Sequence, residues 1–244
     1  MTAPPPPEIS VVVPALNEAE NLAGLVPEIA ASLAGRPYEV IVVDDGSTDD
    51  TAATVDRLAR EGIPVRRVAH PQPFGKSAAV WSGVRAARAP IVVALDGDGQ
   101  NDPGFVPALV APLTDPAVGL VAGQRVGRKS SGIKKVGSRM ANRLRRALFH
   151  DGTRDTACGV KAFRREAFLN LSYFGTMHRF LPALFLGDGW RIAHIDVVDR
   201  PRGHGLSHYG VLDRLAVGIP DLFGVWWLLR RRRRSPFRVE HDPQ

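Results

Sequence analysis

Five consecutive residues, Asp96-Gly97-Asp98-Gly99-Gln100, carry the strongest chemical signal in the chain. They follow directly on the apolar run Ile91–Leu95, so two carboxylates two positions apart sit on a turn leaving a buried strand. Carboxylates placed in this way can both point at one divalent ion. Hard oxygen donors suit Mg2+ or Mn2+, which keep several waters and bind substrate phosphates as well. Gln100 can add a neutral oxygen, so Asp96, Asp98 and Gln100 are the candidate metal ligands. A plain Asp- and Gly-rich turn would show the same letters; the position at a strand end favours the metal.

A second signal is EVIVVDDGSTDDT, Glu39 to Thr51. Adjacent acids ending a buried strand can accept hydrogen bonds from a base N–H or a ribose hydroxyl, which makes Asp45, and with it Asp44, a candidate nucleotide ligand. Ser47 to Asp49 read instead as an Asx turn, with Thr48 or Asp49 capping the next helix. The third is Pro14-Ala15-Leu16-Asn17-Glu18, where Glu18 is a ligand or a helix cap.

These residues need elements to hold them. Ile9–Val13 is a β-branched run ended by Pro14, the pattern of a strand buried on both faces. Glu39–Val43, Val65–Val68 and Ile91–Leu95 repeat it, and helical patterns over 18–33, 48–60 and 75–88 lie between. Four βα units in series predict a mostly parallel sheet with helices on both faces. Ligands of such sheets lie beyond the carboxyl ends of the strands, where all three polar signals fall. Beyond Asp115 the pattern loosens: Val118–Ala122 is a fifth strand, a helix is expected over 138–148, and Ala162–Arg164 and Ile192–Val198 are weaker strands.

The chain has 244 residues, a net charge of +7 and one cysteine, Cys158. A lone cysteine excludes an internal disulfide and fits a reducing compartment. Nine Lys or Arg and no acid lie between Arg125 and Arg146, and Arg230–Arg234 follow an apolar stretch. Such runs suit phosphates or an anionic bilayer surface; no nucleic-acid partner is expected. No stretch reaches the ~20 apolar residues of a membrane span. The N-terminus has no signal-peptide pattern. The expected layout is an extended lead-in over 1–8, a catalytic domain over 9–208, amphipathic and basic interface helices over 209–234, and a disordered tail over 235–244. Leu212, Leu215, Ala216 and Ile219, then Trp226 and Trp227, mark the expected membrane face.

In order along the chain, VVVPALNEAENL, VIVVDDGSTDDT, DGDGQNDP, DTACGVKAFRREAF and RPRGHGLSHYG resemble glycosyltransferase family 2, and within it the polyprenyl-phosphate transferases of the dolichol-phosphate mannose synthase type. The resemblance runs from about Ile9 to Leu229. It implies a nucleotide-sugar-binding, Rossmann-like α/β fold in which Pro14, Leu16, Glu18, Val43 and Asp45 line the nucleotide pocket. Asp96, Asp98 and Gln100 would hold Mg2+ or Mn2+ and the diphosphate, with Gly97 beside them. Arg125 would approach the phosphates, and Arg139 in VGSRMANRL would meet the lipid phosphate, with Lys134 in the same basic loop. Arg202 and Ser207 would close over the donor, and His208 stands where the family motif usually carries Lys.

Many family 2 enzymes that glycosylate hydroxyls carry a carboxylate base late in the domain. Here that region reads Met177-His178-Arg179-Phe180. A hydroxyl benefits from a base, whereas a phosphate monoester is already largely ionised at pH 7, its second pKa being about 6. The expected reaction is therefore inverting transfer from a nucleotide-sugar, a UDP-sugar before GDP-mannose, to a polyprenyl phosphate at the cytosolic membrane face. His178, Arg179 and Arg202 would also be compatible with an acidic sugar. The enzyme is expected to sit peripherally, alone, as a homo-oligomer or with a membrane-protein partner. Rival readings are transfer to a hydroxyl of a saccharide or protein, a sugar-phosphate nucleotidyltransferase, and a non-catalytic membrane-binding module. PALNEAEN lacks the glycine-rich phosphate loop that the nucleotidyltransferase reading wants.

Overall fold

The computed structural model describes residues 5–126, 145, 148–156, 158–201 and 211–231, with side chains from 220 onward in the last segment. Seven strands form one sheet in the order β3-β2-β1-β4-β6-β5-β7. They are β1 (Ile9–Ala15), β2 (Tyr38–Asp44), β3 (Val65–Ala69), β4 (Ile91–Ala94), β5 (Val118–Arg125), β6 (Lys161–Arg164) and β7 (Arg191–Val197). All pairs are parallel except those of β6, which runs antiparallel between β4 and β5. The mixed α/β fold with a mostly parallel sheet is thus the one expected. The single reversed strand was not specified by the sequence pattern.

Alternation along the strands sends side chains to both faces, and both are covered. Val11, Val13, Val40 and Val42 meet α1 (Ala19–Ser32) and α2 (Thr51–Arg60), with α4 (Val106–Val110) completing that layer. Val12, Ile41, Val43 and Val92 meet α3 (Lys76–Ala86), α5 (Arg165–Leu169) and α6 (Leu181–Gly187) on the other. Phe163 and Phe168 stack there with centroids 4.9 Å apart, adding an aromatic pair to the apolar burial. Near-complete burial on both sides explains why β1, β2 and β4 read as unbroken apolar runs.

The last element, α7 (Val211–Arg231), is one helix. Its second half docks on the domain: Leu222 and Val225 are buried, and Thr176 Oγ1 donates to Asp221 Oδ2 at 2.7 Å. Phe223 and Trp227 are about half exposed, and Arg230 lies 4.2 Å from the ring centroid of Trp226. Among the described residues no helix is long and apolar enough to cross a membrane. Leu212, Leu215, Ala216 and Ile219 have no described side chains.

Candidate active site

Three strand exits build the site. Beyond β1, Asn17 takes a positive φ of 56° and links two loops: its N–H donates to Ser47 Oγ at 3.0 Å, and its Oδ1 accepts from Thr48 N at 2.8 Å. Asp49 contributes to the same seam, accepting from Ala19 N through Oδ2 and from Thr51 N through Oδ1. Asp49 thus bonds the first N–H of both α1 and α2, but the N-cap of α2 is Asp50, without a side-chain capping bond, and not the expected Thr48 or Asp49. Glu18 makes no capping bond; its Oε2 accepts from Asn21 Nδ2 at 2.5 Å. Asp44 and Asp45 close β2, both nearly buried. Asp44 accepts from Ser47 N and Arg67 Nη1, whereas Asp45 accepts from His70 and the N–H groups of Phe74 and Gly75.

The turn after β4 carries the paired acids. Gly97 lies so close to β1 that a Cβ there would come 2.8 Å from Pro14 O. Asp98 Oδ1 accepts from Gln100 N at 3.1 Å, which ties the turn to itself. Asp96 is half-buried, and its Oδ1 is ion-paired with Lys76 at the start of α3. Its carboxylate lies over the Cα of Gly159: a Cβ there would be 2.1 Å from Asp96 Oδ2. Burial pushes the Asp96 carboxyl up, but Lys76, then Lys161 and Arg125, hold it below the usual carboxylate range.

Lys161 is itself buried, donating to the carbonyl of Cys158. Desolvation is the main influence on its ammonium and brings it down to about 8. Arg125, at the end of β5, donates through Nε and Nη2 to Asp155 at 2.5 and 2.9 Å and through Nη1 to Asp199 at 3.2 Å. Burial works against its charge, yet the two carboxylates hold it firmly protonated. His178 Nδ1 lies 2.7 Å from Ser77 Oγ, one residue after Lys76. Burial, then Lys76, Lys161 and Arg179, push its imidazole well below the ordinary range.

The donor set fits a hard divalent cation. Two carboxylates share one turn, and cations already balance the charge of Asp96. No cluster of three or more His, Cys, Asp or Glu side chains that could hold a metal occurs among the described residues. Two protein carboxylates with water and substrate phosphate completing the shell is a common arrangement for Mg2+.

The structure brings Pro14, Glu18, Asp44, Asp45, Asp96, Gly97, Asp98, Gln100 and Arg125 to the carboxyl edge of the sheet, with Leu16 in the loop beyond β1. Three expectations change. Val43 does not line a pocket: it is fully buried against the helices on the α3 face, because its place in the β2 alternation turns it inward. Arg125 is a clamped group, its guanidinium engaged by Asp155 and Asp199. For His178, burial and then the neighbouring cations Lys76, Lys161 and Arg179 disfavour the charge that an acidic sugar would call on. Lys134, Arg139, Arg202, Ser207 and His208 lie outside the described residues.

Lys76, Lys161, Asp155 and Asp199 were missed by sequence reasoning. Two signals pointed to the lysines. A cation on the first residue of a helix opposes the macrodipole, so Lys76 needs another reason to be there. Lys161 puts a charge in the otherwise apolar run Val160–Phe163.

Residues 10–171 match the profile described as Glycosyl transferase family 2. Dodecaprenyl-phosphate galacturonate synthase of Rhizobium johnstonii is 35% identical over 233 residues, 93% of this chain and 69% of the relative. Undecaprenyl-phosphate 4-deoxy-4-formamido-L-arabinose transferase of Klebsiella pneumoniae subsp. pneumoniae is 33% identical over 218 residues, 87% of this chain and 65% of the relative. The chain thus spans about two thirds of the length of these curated relatives. Among solved structures, glucosyl-3-phosphoglycerate synthase of Mycobacterium tuberculosis with Mn2+, UDP-glucose and glycerol 3-phosphate superposes with a TM-score of 0.67 at 27% identity, over 91% of this chain and 80% of that one. Strand-end acids, sheet order and sequence agree: the chain belongs to glycosyltransferase family 2.

Proposed function

We propose that the protein transfers a sugar from a nucleotide-sugar, a UDP-sugar before GDP-mannose, to a polyprenyl phosphate at the cytosolic membrane face. The observation that carries this reading is the Asp96–Asp98 turn set among Lys76, Lys161 and Arg125. Fixed cations around a carboxylate pair suit a reaction between two anions, a diphosphate donor and a phosphate nucleophile. The polyprenyl-phosphate transferases among the relatives support the acceptor, and the UDP-bound neighbours support the base.

In the proposed step an acceptor phosphate oxygen attacks the anomeric carbon. The carbon–oxygen bond to the nucleoside diphosphate breaks on the opposite side, so the configuration inverts. The nucleophile is already an anion, so no proton has to be removed. Asp96, Asp98 and Gln100 would hold Mg2+ or Mn2+, which when bound would neutralise charge on the leaving diphosphate. Lys76 and Lys161 hold positive charge at fixed places around that position, which costs no reorganisation during reaction. Arg125 offsets one of the two negative charges of Asp155 and Asp199, which lessens their opposition to an incoming phosphate. Arg139 and Lys134 would meet the lipid phosphate, and Arg202, Ser207 and His208 would close over the donor.

The galacturonate named for the Rhizobium relative favours an acidic sugar among the donors to be tried, with Arg179 as its cation. A thermal-shift screen of UDP-hexoses, UDP-hexuronates and GDP-mannose with Mn2+ identifies the donor. Asp98→Asn tests the site: transfer and metal-dependent donor binding should vanish while the melting temperature stays near wild type. Near-normal transfer by that variant, or full activity in EDTA, overturns the metal assignment.

A further inference from the structure

His70, Asp45 and Ser82 form a hydrogen-bonded chain beside the site. His70 Nδ1 lies 2.7 Å from Asp45 Oδ1, and His70 Nε2 lies 2.9 Å from Ser82 Oγ on α3. An ionised carboxylate only accepts, so Nδ1 carries the proton. In the neutral ring Nε2 then accepts from the Ser82 hydroxyl. The connectivity is that of a serine nucleophile, its base and its orienting acid, yet the location speaks against nucleophilic work. Ser82 lies inside α3, where the neighbouring N–H groups are engaged in the helix and form no oxyanion site.

The same carboxylate does something else. Asp45 Oδ1 also accepts from Phe74 N at 2.9 Å, and Oδ2 accepts from Gly75 N at 2.8 Å. The connection from β3 to α3 is thereby wrapped around one buried acid. Gly46 allows the wrap: its φ is +79°, and a Cβ there would come 2.8 Å from the backbone of Gln72. The next residue after Gly75 is Lys76, the ion-pair partner of Asp96. One continuous path of contacts therefore runs from Ser82 through His70, Asp45 and Gly75 to the metal-site acid.

We propose that His70 is a positioning residue for donor binding: it fixes the Asp45 carboxylate, which fixes the β3–α3 turn, which sets Lys76 against Asp96. This rests on the functional reading above and adds a residue to it. With His70 gone, Asp45 loses one bond and can turn away from Phe74 and Gly75, so Lys76 is no longer held. Donor affinity falls, and kcat falls with it, because Lys76 also holds positive charge beside the leaving diphosphate.

The test measures UDP binding by calorimetry with Mn2+, and donor KM and kcat, in wild type, His70→Ala, His70→Asn and Ser82→Ala. His70→Ala should raise the UDP Kd and donor KM on the order of tenfold, the effect of losing a hydrogen bond to a charged group, with a smaller accompanying loss in kcat from the released Lys76. Asn can keep the donor to Asp45 while losing Ser82, so His70→Asn should stay near wild type and match Ser82→Ala. Adding Ser82→Ala to His70→Ala should change nothing further, because Ser82 acts through His70. Equal UDP binding by wild type and His70→Ala overturns the inference, as does a loss confined to kcat. If His70→Ala does not fold, His70→Asn and Ser82→Ala decide: a tenfold difference between them breaks the chain as drawn. Failure of the wild type to bind UDP or GDP at all would instead count against the functional reading.

Discussion

Gly159→Ala is a small change with a large expected effect. Its Cβ would lie 2.1 Å from Asp96 Oδ2, 2.3 Å from Cγ and 2.6 Å from Oδ1. Carbon–carbon contacts are optimal at about 3.5–4.0 Å, so the whole carboxylate must move by more than an ångström. Such a shift takes Asp96 off Lys76 and out of register with Asp98. A misplacement of about 1 Å at a reacting centre can cost on the order of 10²-fold, so kcat/KM should fall by roughly that factor. The fold should survive, since overpacking typically costs about 1–3 kcal/mol and Gly159 lies in a loop before β6. The assay is initial-rate transfer with Mn2+, beside a melting curve. Activity within threefold of wild type would refute the claim that Asp96 must occupy this position.

Two further predictions concern the C-terminal helix and pH. Removing residues after Gly224 would strip the buried Val225 and the Leu229 contact at Gly187, so substitutions on the exposed face are the cleaner probe. Phe223→Ser with Trp227→Ser, or Arg230→Gln with Arg231→Gln, should release the protein from anionic liposomes, each arginine contributing about 1 kcal/mol at low salt. Unchanged liposome binding by both pairs, or binding that persists in molar salt, removes the membrane role. His178 predicts acid sensitivity. The unfolded chain takes up its proton near pH 6.5, whereas the folded site resists it, so stability falls as pH drops below about 6.5. Denaturant unfolding between pH 7 and pH 5 should show this slope in wild type and less of it in His178→Asn; equal slopes would assign it elsewhere.

Much of the fold was legible because its signals are local. β1, β2 and β4 are buried on both faces, so each shows as an apolar run within two residues of its observed ends. The position of Asp96 and Asp98 was readable for the same reason: they directly follow such a run, and the structure places them on the turn that leaves β4. The antiparallel β6 was not legible in direction, because Lys161–Arg164 has only four residues and its orientation is set by partners β4 and β5. Long-range pairing hid the rest of the site. Lys76 reaches Asp96, Arg125 reaches Asp155 and Asp199, and His70 reaches Asp45 and Ser82, none of which periodicity encodes. Val43 shows the reverse error: a residue in the right motif whose side chain belongs to the core.

The central claim is that the acceptor is a phosphate. The direct measurement gives the purified protein its donor, Mn2+ and either a polyprenyl phosphate or the matching free polyprenol, and identifies products by mass spectrometry. The account predicts a polyprenyl-phosphate sugar together with the released nucleoside diphosphate, and no product from the alcohol. Glycosylation of the free alcohol at a comparable rate would contradict it.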